Sequence, residues 1–112
     1  MIKRPYQDIE NISKKFIRGV PLEKEIQLEQ DIVFQFDNNS KEDILCDRII
    51  ASLYISKDKF FNKNPTENDK IDNIKSDVSS ALTDGGFLID YIELDEANSN
   101  NHHWTFIYQL QY

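Results

Sequence analysis

Residues 23–37 read Glu23-Lys24-Glu25-Ile26-Gln27-Leu28-Glu29-Gln30-Asp31-Ile32-Val33-Phe34-Gln35-Phe36-Asp37. From 26 onward the even positions Ile26, Leu28, Ile32, Phe34 and Phe36 are apolar, and only Gln30 breaks the row. The odd positions are polar or acidic, Val33 excepted. Alternation with period 2 marks a half-buried strand, because successive side chains leave a strand on opposite faces, whereas a helix would scatter these apolar residues around its circumference. The stretch therefore predicts one strand over 24–37, with its apolar face in a core. The other face would show water the carboxylates of Glu23, Glu25, Glu29, Asp31 and Asp37. Of these, Glu25, Glu29 and Asp31 share a parity and are expected to project together. Asp37, Asn38, Asn39 and Ser40 are turn-formers that end the strand.

Upstream, Tyr6, Ile9, Ile12 and Phe16 recur at spacings of three and four and predict a helix over 5–18. Pro5 suits its first turn, Gly19 a left-handed cap, and Pro21 prevents continuation. Lys14, Lys15 and Arg18 complement the negative end of its dipole.

Downstream, 40–56 carries two patterns. Ser40 with Asp43 resembles a capping box, and Leu45, Ile49 and Leu53 recur every four residues, which favours a helix. Ile49, Ala51, Leu53 and Ile55 also alternate with polar residues, which favours a strand. Residues 57–65 connect, and Phe60 or Phe61 should plug the core edge. Thr66 with Asp69 opens the clearest helix, whose buried stripe is Ile71, Ile74, Val78, Ala81 and Leu82 and whose stop is Gly85-Gly86. Residues 87–94 form a strand whose alternation slips near Ile89 and Asp90, as a bulge or a strand covered on both faces produces. A polar, mobile loop over 95–101 leads to a last strand with Trp104, Phe106, Tyr108, Leu110 and Tyr112 on one face. His103, Thr105, Ile107, Gln109 and Gln111 lie on the other. Trp104, Phe106, Tyr108 and Leu110 are expected against the helix that begins near Thr66. The sum is one α+β domain over 1–112, in the order α-β-(β or α)-α-β-β, an antiparallel sheet with helices on one face.

The chain has 112 residues, enough for a real core. At 39% hydrophobic and 12% aromatic it is too apolar for a disordered tail. It lacks the apolar run of a membrane span and the h-region of a signal peptide, and its single cysteine pairs with nothing internally. These features suggest a cytoplasmic protein.

Net charge is −7 and unevenly placed: residues 1–18 carry a net of three positive, and residues 76–112 hold six carboxylates with no Lys or Arg. An acidic body repels nucleic acid and membrane phosphates and attracts basic protein surfaces.

No constellation of catalytic residues emerges, and the expectation is no enzyme, no cofactor and no metal. Cys46 in an apolar context reads as a small core residue. Ser79 and Ser80 sit mid-helix without a sign of an activating base. His102 and His103 would point to opposite faces of a strand and so cannot share one ion unless the loop bends, although Asp90, Glu93 and Glu96 could add oxygens. Phosphate-binding glycine motifs are absent, and no Lys or Arg follows Lys75. The acidic face remains. A solvated surface explains it without function; a docking surface for a basic partner explains it too. Extended mimicry of DNA is too sparse on this row alone, since five carboxylates over about fourteen steps of ~3.3 Å give one charge per roughly 9 Å, against one per ~1.7 Å of duplex. Asp90, Glu93, Asp95 and Glu96 would have to lie on the same side.

The preferred expectation is a small acidic, non-enzymatic binding protein that inhibits a basic partner such as a nuclease or other nucleic-acid enzyme, in the manner of immunity proteins or phage-encoded defence inhibitors. It would contact neither nucleic acid nor membrane directly. The alternative is a self-assembling module or homodimer that pairs through an exposed edge strand at 107–112. A small metal-dependent enzyme around His102, His103 and Glu93 ranks third.

Overall fold

The alternating stretch is two strands rather than one. In the computed structural model, which describes residues 6–37, 40–60, 64–65 and 68–112, β1 (Glu25–Glu29) turns at Gln30 and Asp31 into β2 (Ile32–Phe36). Gln30, the break in the apolar row, is in the turn, and Asp31 supplies a φ of 70°. Ile26 pairs with Phe34, Glu25 with Gln35 and Gln27 with Val33. Each pair joins residues of equal parity, so the even positions stay on one face through the reversal. Period 2 therefore cannot distinguish this hairpin from one long strand. Ile26, Ile32, Phe34 and Phe36 are all buried, as their parity requires.

The ambiguous 40–56 stretch contains both predicted forms in succession. Helix α2 (Lys41–Leu45) is capped by Ser40, whose Oγ accepts from the Glu42 amide at 3.2 Å. It lasts little more than a turn before β3 (Arg48–Ser56) begins. Its brevity explains why the four-residue spacing fails at its start: Leu45 is 61% exposed, whereas Ile49 and Leu53 are buried as strand residues. Cys46, expected in the core, is exposed at the helix C-cap, and Ile44 fills the core position instead.

Helix α3 (Asp69–Asp84) buries Ile71, Val78, Ala81 and Leu82, with Ile74 partly covered. Its N-cap is Asn68, whose Oδ1 accepts from the amides of Lys70 and Ile71. The expected cap Thr66 lies outside the described residues, as does Phe61. Phe60 does close the core edge, 5.9 Å ring to ring from Trp104. At the other end Gly86 takes the left-handed conformation, φ 99°. Its amide bonds to the Thr83 carbonyl and that of Phe87 to Leu82, a Schellman stop that needs a residue without Cβ.

The first helix departs furthest from expectation. Among the described residues of 5–18 the α-helical span is Ile9–Lys14 (α1), and Pro5 lies outside the described residues; those six helical residues have φ between 34° and 55°, on the left-handed side. L-residues there cost roughly 1–2 kcal/mol each, so burial of Ile9 and Ile12 rather than local propensity must hold the segment. Phe16, assigned to the apolar stripe, is 65% exposed. Gly19 ends a 3-10 turn (Ile17–Gly19), and the left-handed residue after it is Val20.

Strand β4 (Leu88–Leu94) and strand β5 (His103–Gln111) complete a five-stranded antiparallel sheet in the order β1-β2-β3-β5-β4. The slip foreseen near Asp90 is a register shift between Ile89 and Tyr91. Strand β5 is an inner strand bonded on both sides, so 107–112 is not an exposed edge; the edges are β1 and β4. The core aromatics meet under the helices: Phe34 lies edge-on to Phe36 at 5.2 Å and to Tyr108 at 6.0 Å, and Phe36 meets Phe87 at 5.7 Å. The result is a single α+β domain. Its extents of 42 × 40 × 21 Å are those of a two-layer slab, helices on one side and on the other a sheet face that is open except where the 95–101 turn covers Thr105.

Tyr108 is buried and donates its phenol hydrogen to the Lys75 carbonyl at 3.1 Å, tying β5 to α3. Burial raises its pKa above the ordinary phenol value. The folded state thus holds this proton more tightly than the unfolded state. Stability is unaffected below the unfolded value of about 10, then falls as pH rises past it. Burial raises Tyr6 in the same direction, followed by the charge of Glu29. Tyr108→Phe is expected to move the midpoint of alkaline unfolding upward, read by circular dichroism between about pH 9 and 12. Superimposable alkaline curves for the two proteins would contradict this.

Candidate docking face

The register places the outward side chains of the bare sheet face in cross-strand rows. One row runs Gln27, Val33, Tyr54, Thr105, and the next runs Glu25, Gln35, Ser52, Ile107, Glu93. A third joins Ile50, Gln109 and Tyr91, with Asp37 beside Ile50, and a fourth joins Arg48, Gln111 and Leu88. On the inner strands β2, β3 and β5 only Arg48, at one end, carries a formal charge, and it pairs with Asp43 at 2.7 Å. The chain as a whole is 29% charged, so a face this neutral departs from its surface. Ile50 is 38%, Tyr54 40%, Tyr91 45% and Leu88 63% exposed, with no helix above them.

Tyr54 is held in place. The His103 ring stacks on it at 4.1 Å between centroids, and His103 Nδ1 lies 2.9 Å from the Tyr54 hydroxyl. His103 Nε2 faces the Asn98 carbonyl at 3.0 Å, which can only accept, so Nε2 donates there and the ring is held from both nitrogens. The 95–101 segment supporting it, expected as a mobile loop, is laced by hydrogen bonds. Asp95 caps a 3-10 turn (Glu96–Asn98), Ser99 Oγ donates to the Asp95 carbonyl, and Thr105 Oγ1 donates to the Asn98 carbonyl at 2.8 Å.

The predicted carboxylates divide among different surfaces. Glu25 and Glu93 end the same row on opposite edges, four strand spacings or about 19 Å apart. Glu29 does not project with Glu25. A bulge between Gln27 and Glu29 shifts the register by one, which reverses parity. Glu29 then meets Tyr6, Lys70, Ile74 and Asp77 around a cleft on the helix side. Asp31 is in the turn, Glu23 precedes β1, and Asp37 follows β2. Asp90 is the extra residue of the β4 bulge; Asp95 and Glu96 belong to the loop beyond. The nine residues thus form no single patch: Glu25 and Glu93 end one neutral row, and Asp37 lies beside Ile50 at the end of the next.

Two basic residues of the N-terminal region, Lys15 and Arg18, are engaged elsewhere. Arg18 forms a two-pronged pair with Asp47, and Lys15 caps the end of α3 through the Gly85 carbonyl at 3.1 Å. Glu10 pairs with Lys24 at 2.7 Å, which lowers the carboxyl pKa by hydrogen bonding and charge. Ser79 Oγ donates to the Lys75 carbonyl within its own helix. Among the described residues, no three His, Cys, Asp or Glu side chains gather as metal ligands, and no helix is long and apolar enough to cross a membrane.

The fold and this face define an α+β domain with one open sheet surface. The chain matches no protein-family model, no curated protein and no solved structure.

Proposed function

We propose that this chain is a non-enzymatic binding protein that seats a basic partner protein on its bare sheet face and inhibits that partner by covering it, as a cytoplasmic immunity protein or phage-type defence inhibitor does. The observation that supports this most is the neutral centre of the face, Val33, Ile50, Tyr54 and Ile107 among Gln and Ser, between the carboxylates of Glu25 and Glu93. Charge depletion at the centre, aromatic enrichment and a polar rim are the anatomy of protein interfaces. The acidic net charge selects a basic partner and steers its approach. Nuclease or other nucleic-acid enzymes have surfaces of that sign.

A homodimer over the same face is the alternative. A two-fold axis along the strands lays the Glu25 edge of one copy over the Glu93 edge of the other, and an axis across the strands lays like edge over like edge. Both arrangements oppose carboxylates, and the real edge strands β1 and β4 are acidic as well, so a complementary partner fits the face better than a second copy.

The test is a pull-down from the native host at low salt with three baits: wild type, Glu25→Lys/Glu93→Lys, and Ile50→Asp. A basic protein retained by wild type and lost by both variants is expected. Equal recovery on all three baits would reject the face as the docking surface.

A further inference from the structure

Beside Tyr54 the open face has a hollow of about 280 Å³, lined by Glu25, Val33, Gln35, Ser52, Tyr54 and Thr105. It is smaller than the ~300–1,000 Å³ clefts that hold drug-sized ligands, and matches a single long side chain better. We propose that it receives an arginine side chain from the docking partner, an inference that rests on the docking function above and names the group recognised.

The lining supplies what a guanidinium requires. Glu25 offers two carboxylate oxygens for paired N–H donors, and among the described residues no ion pair engages it. Gln35 and Ser52, its successors along the same row, offer neutral oxygens as further acceptors. The Tyr54 ring supplies a π face for a planar cation. His103 stands one row beyond Tyr54, opposite Ser56, while the hollow extends the other way toward Ser52. The stacked histidine therefore backs the tyrosine and leaves its hollow side to a ligand. Val33 forms an apolar wall for the methylene stem, which a long cationic side chain buries while its head stays polar. An acidic ligand would meet Glu25, and a purely apolar one would leave Glu25 and Gln35 without partners, so the occupant is a cation with a planar donor edge. Lysine would satisfy the charge but not the paired donors.

The test uses the full chain, isotope-labelled, at low salt. N-acetyl-arginine methylamide is titrated while amide shifts are followed by NMR, beside the citrulline analogue, which keeps the shape but not the charge, and the lysine analogue. Saturable shifts centred on Glu25, Gln35, Ser52 and Tyr54 are expected, with the arginine probe tighter than lysine and no saturation by citrulline. Glu25→Gln should weaken the arginine probe about tenfold, the loss of one charge-assisted hydrogen-bonded contact. Tyr54→Leu should weaken it several-fold through the lost ring. Shifts scattered over Asp95, Glu96 and the other exposed carboxylates, equal shifts with citrulline, or no saturable shift would overturn the assignment. Since no partner protein is present, these results are independent of the pull-down: a hollow that ignores guanidinium would not remove a partner captured by the face, and loss of the partner would not abolish a saturable arginine site.

Discussion

Phe34→Ala is expected to lower the stability of the fold by about 3–5 kcal/mol, the range for truncating a buried phenylalanine. Phe34 is fully buried on β2 and lies edge-on to two aromatic neighbours, Phe36 and Tyr108. Alanine removes the transfer energy of the ring and leaves a void that two large rings cannot collapse to fill without leaving their rotamers. Val33, the adjacent residue, faces the open side and is only partly covered, so Val33→Ala should cost much less. Chemical denaturation of both variants measures the contrast. A loss under about half a kcal/mol for Phe34→Ala, the range of ordinary surface changes, would mean that the wrong face of the hairpin has been assigned to the core. Phe106→Ala, predicted from the parity of the last strand, should behave like Phe34→Ala because Phe106 is buried beneath Lys75 of α3.

Once the partner is in hand, rim and centre substitutions should separate kinetically. Glu25→Lys/Glu93→Lys reverses the two carboxylates that end the central row of the face and is expected to cut the association rate about 10- to 100-fold at low salt, with little change in melting temperature. That deficit should shrink as the Debye length falls from ~10 Å at 0.1 M to ~3 Å at 1 M salt. Tyr54→Ala should instead act on dissociation. An aromatic anchor held by a stacked neighbour has little freedom left to lose on binding, so removing it forfeits contact energy: a central hot spot of about 2 kcal/mol or more corresponds to roughly a 30-fold faster release. Surface plasmon resonance at two salt concentrations reads both rates. Should the double reversal leave the association rate unchanged while Tyr54→Ala also leaves dissociation unchanged, the partner docks elsewhere on the molecule.

Local pattern by itself determined a good part of this protein. The even parity of Ile26, Ile32, Phe34 and Phe36, the stripe from Ile71 to Leu82, the stop at Gly85-Gly86 and the apolar face of the last strand from Trp104 to Leu110 all depend on a residue and its near neighbours, and each survives in the structure, although Tyr112, predicted on that face, is 47% exposed. The slip at Asp90 was legible for the same reason, since a bulge interrupts the alternation of its own strand. Tertiary structure alone decided what parity leaves degenerate. A hairpin pairing equal parities preserves the alternation of a single strand, so the turn at Gln30-Asp31 was concealed. The bulge near Leu28 then sent Glu29 to the helix side, separating it from Glu25 although their spacing suggests one face. Strand order was equally out of reach. Putting β5 inside the sheet and β4 at its edge converts a supposed exposed edge into an inner strand and sets Glu93 across the face from Glu25. Side-chain parity is fixed by neighbours along the chain, whereas strand order is set by which pairing of distant segments buries the most apolar surface, a property of the whole fold.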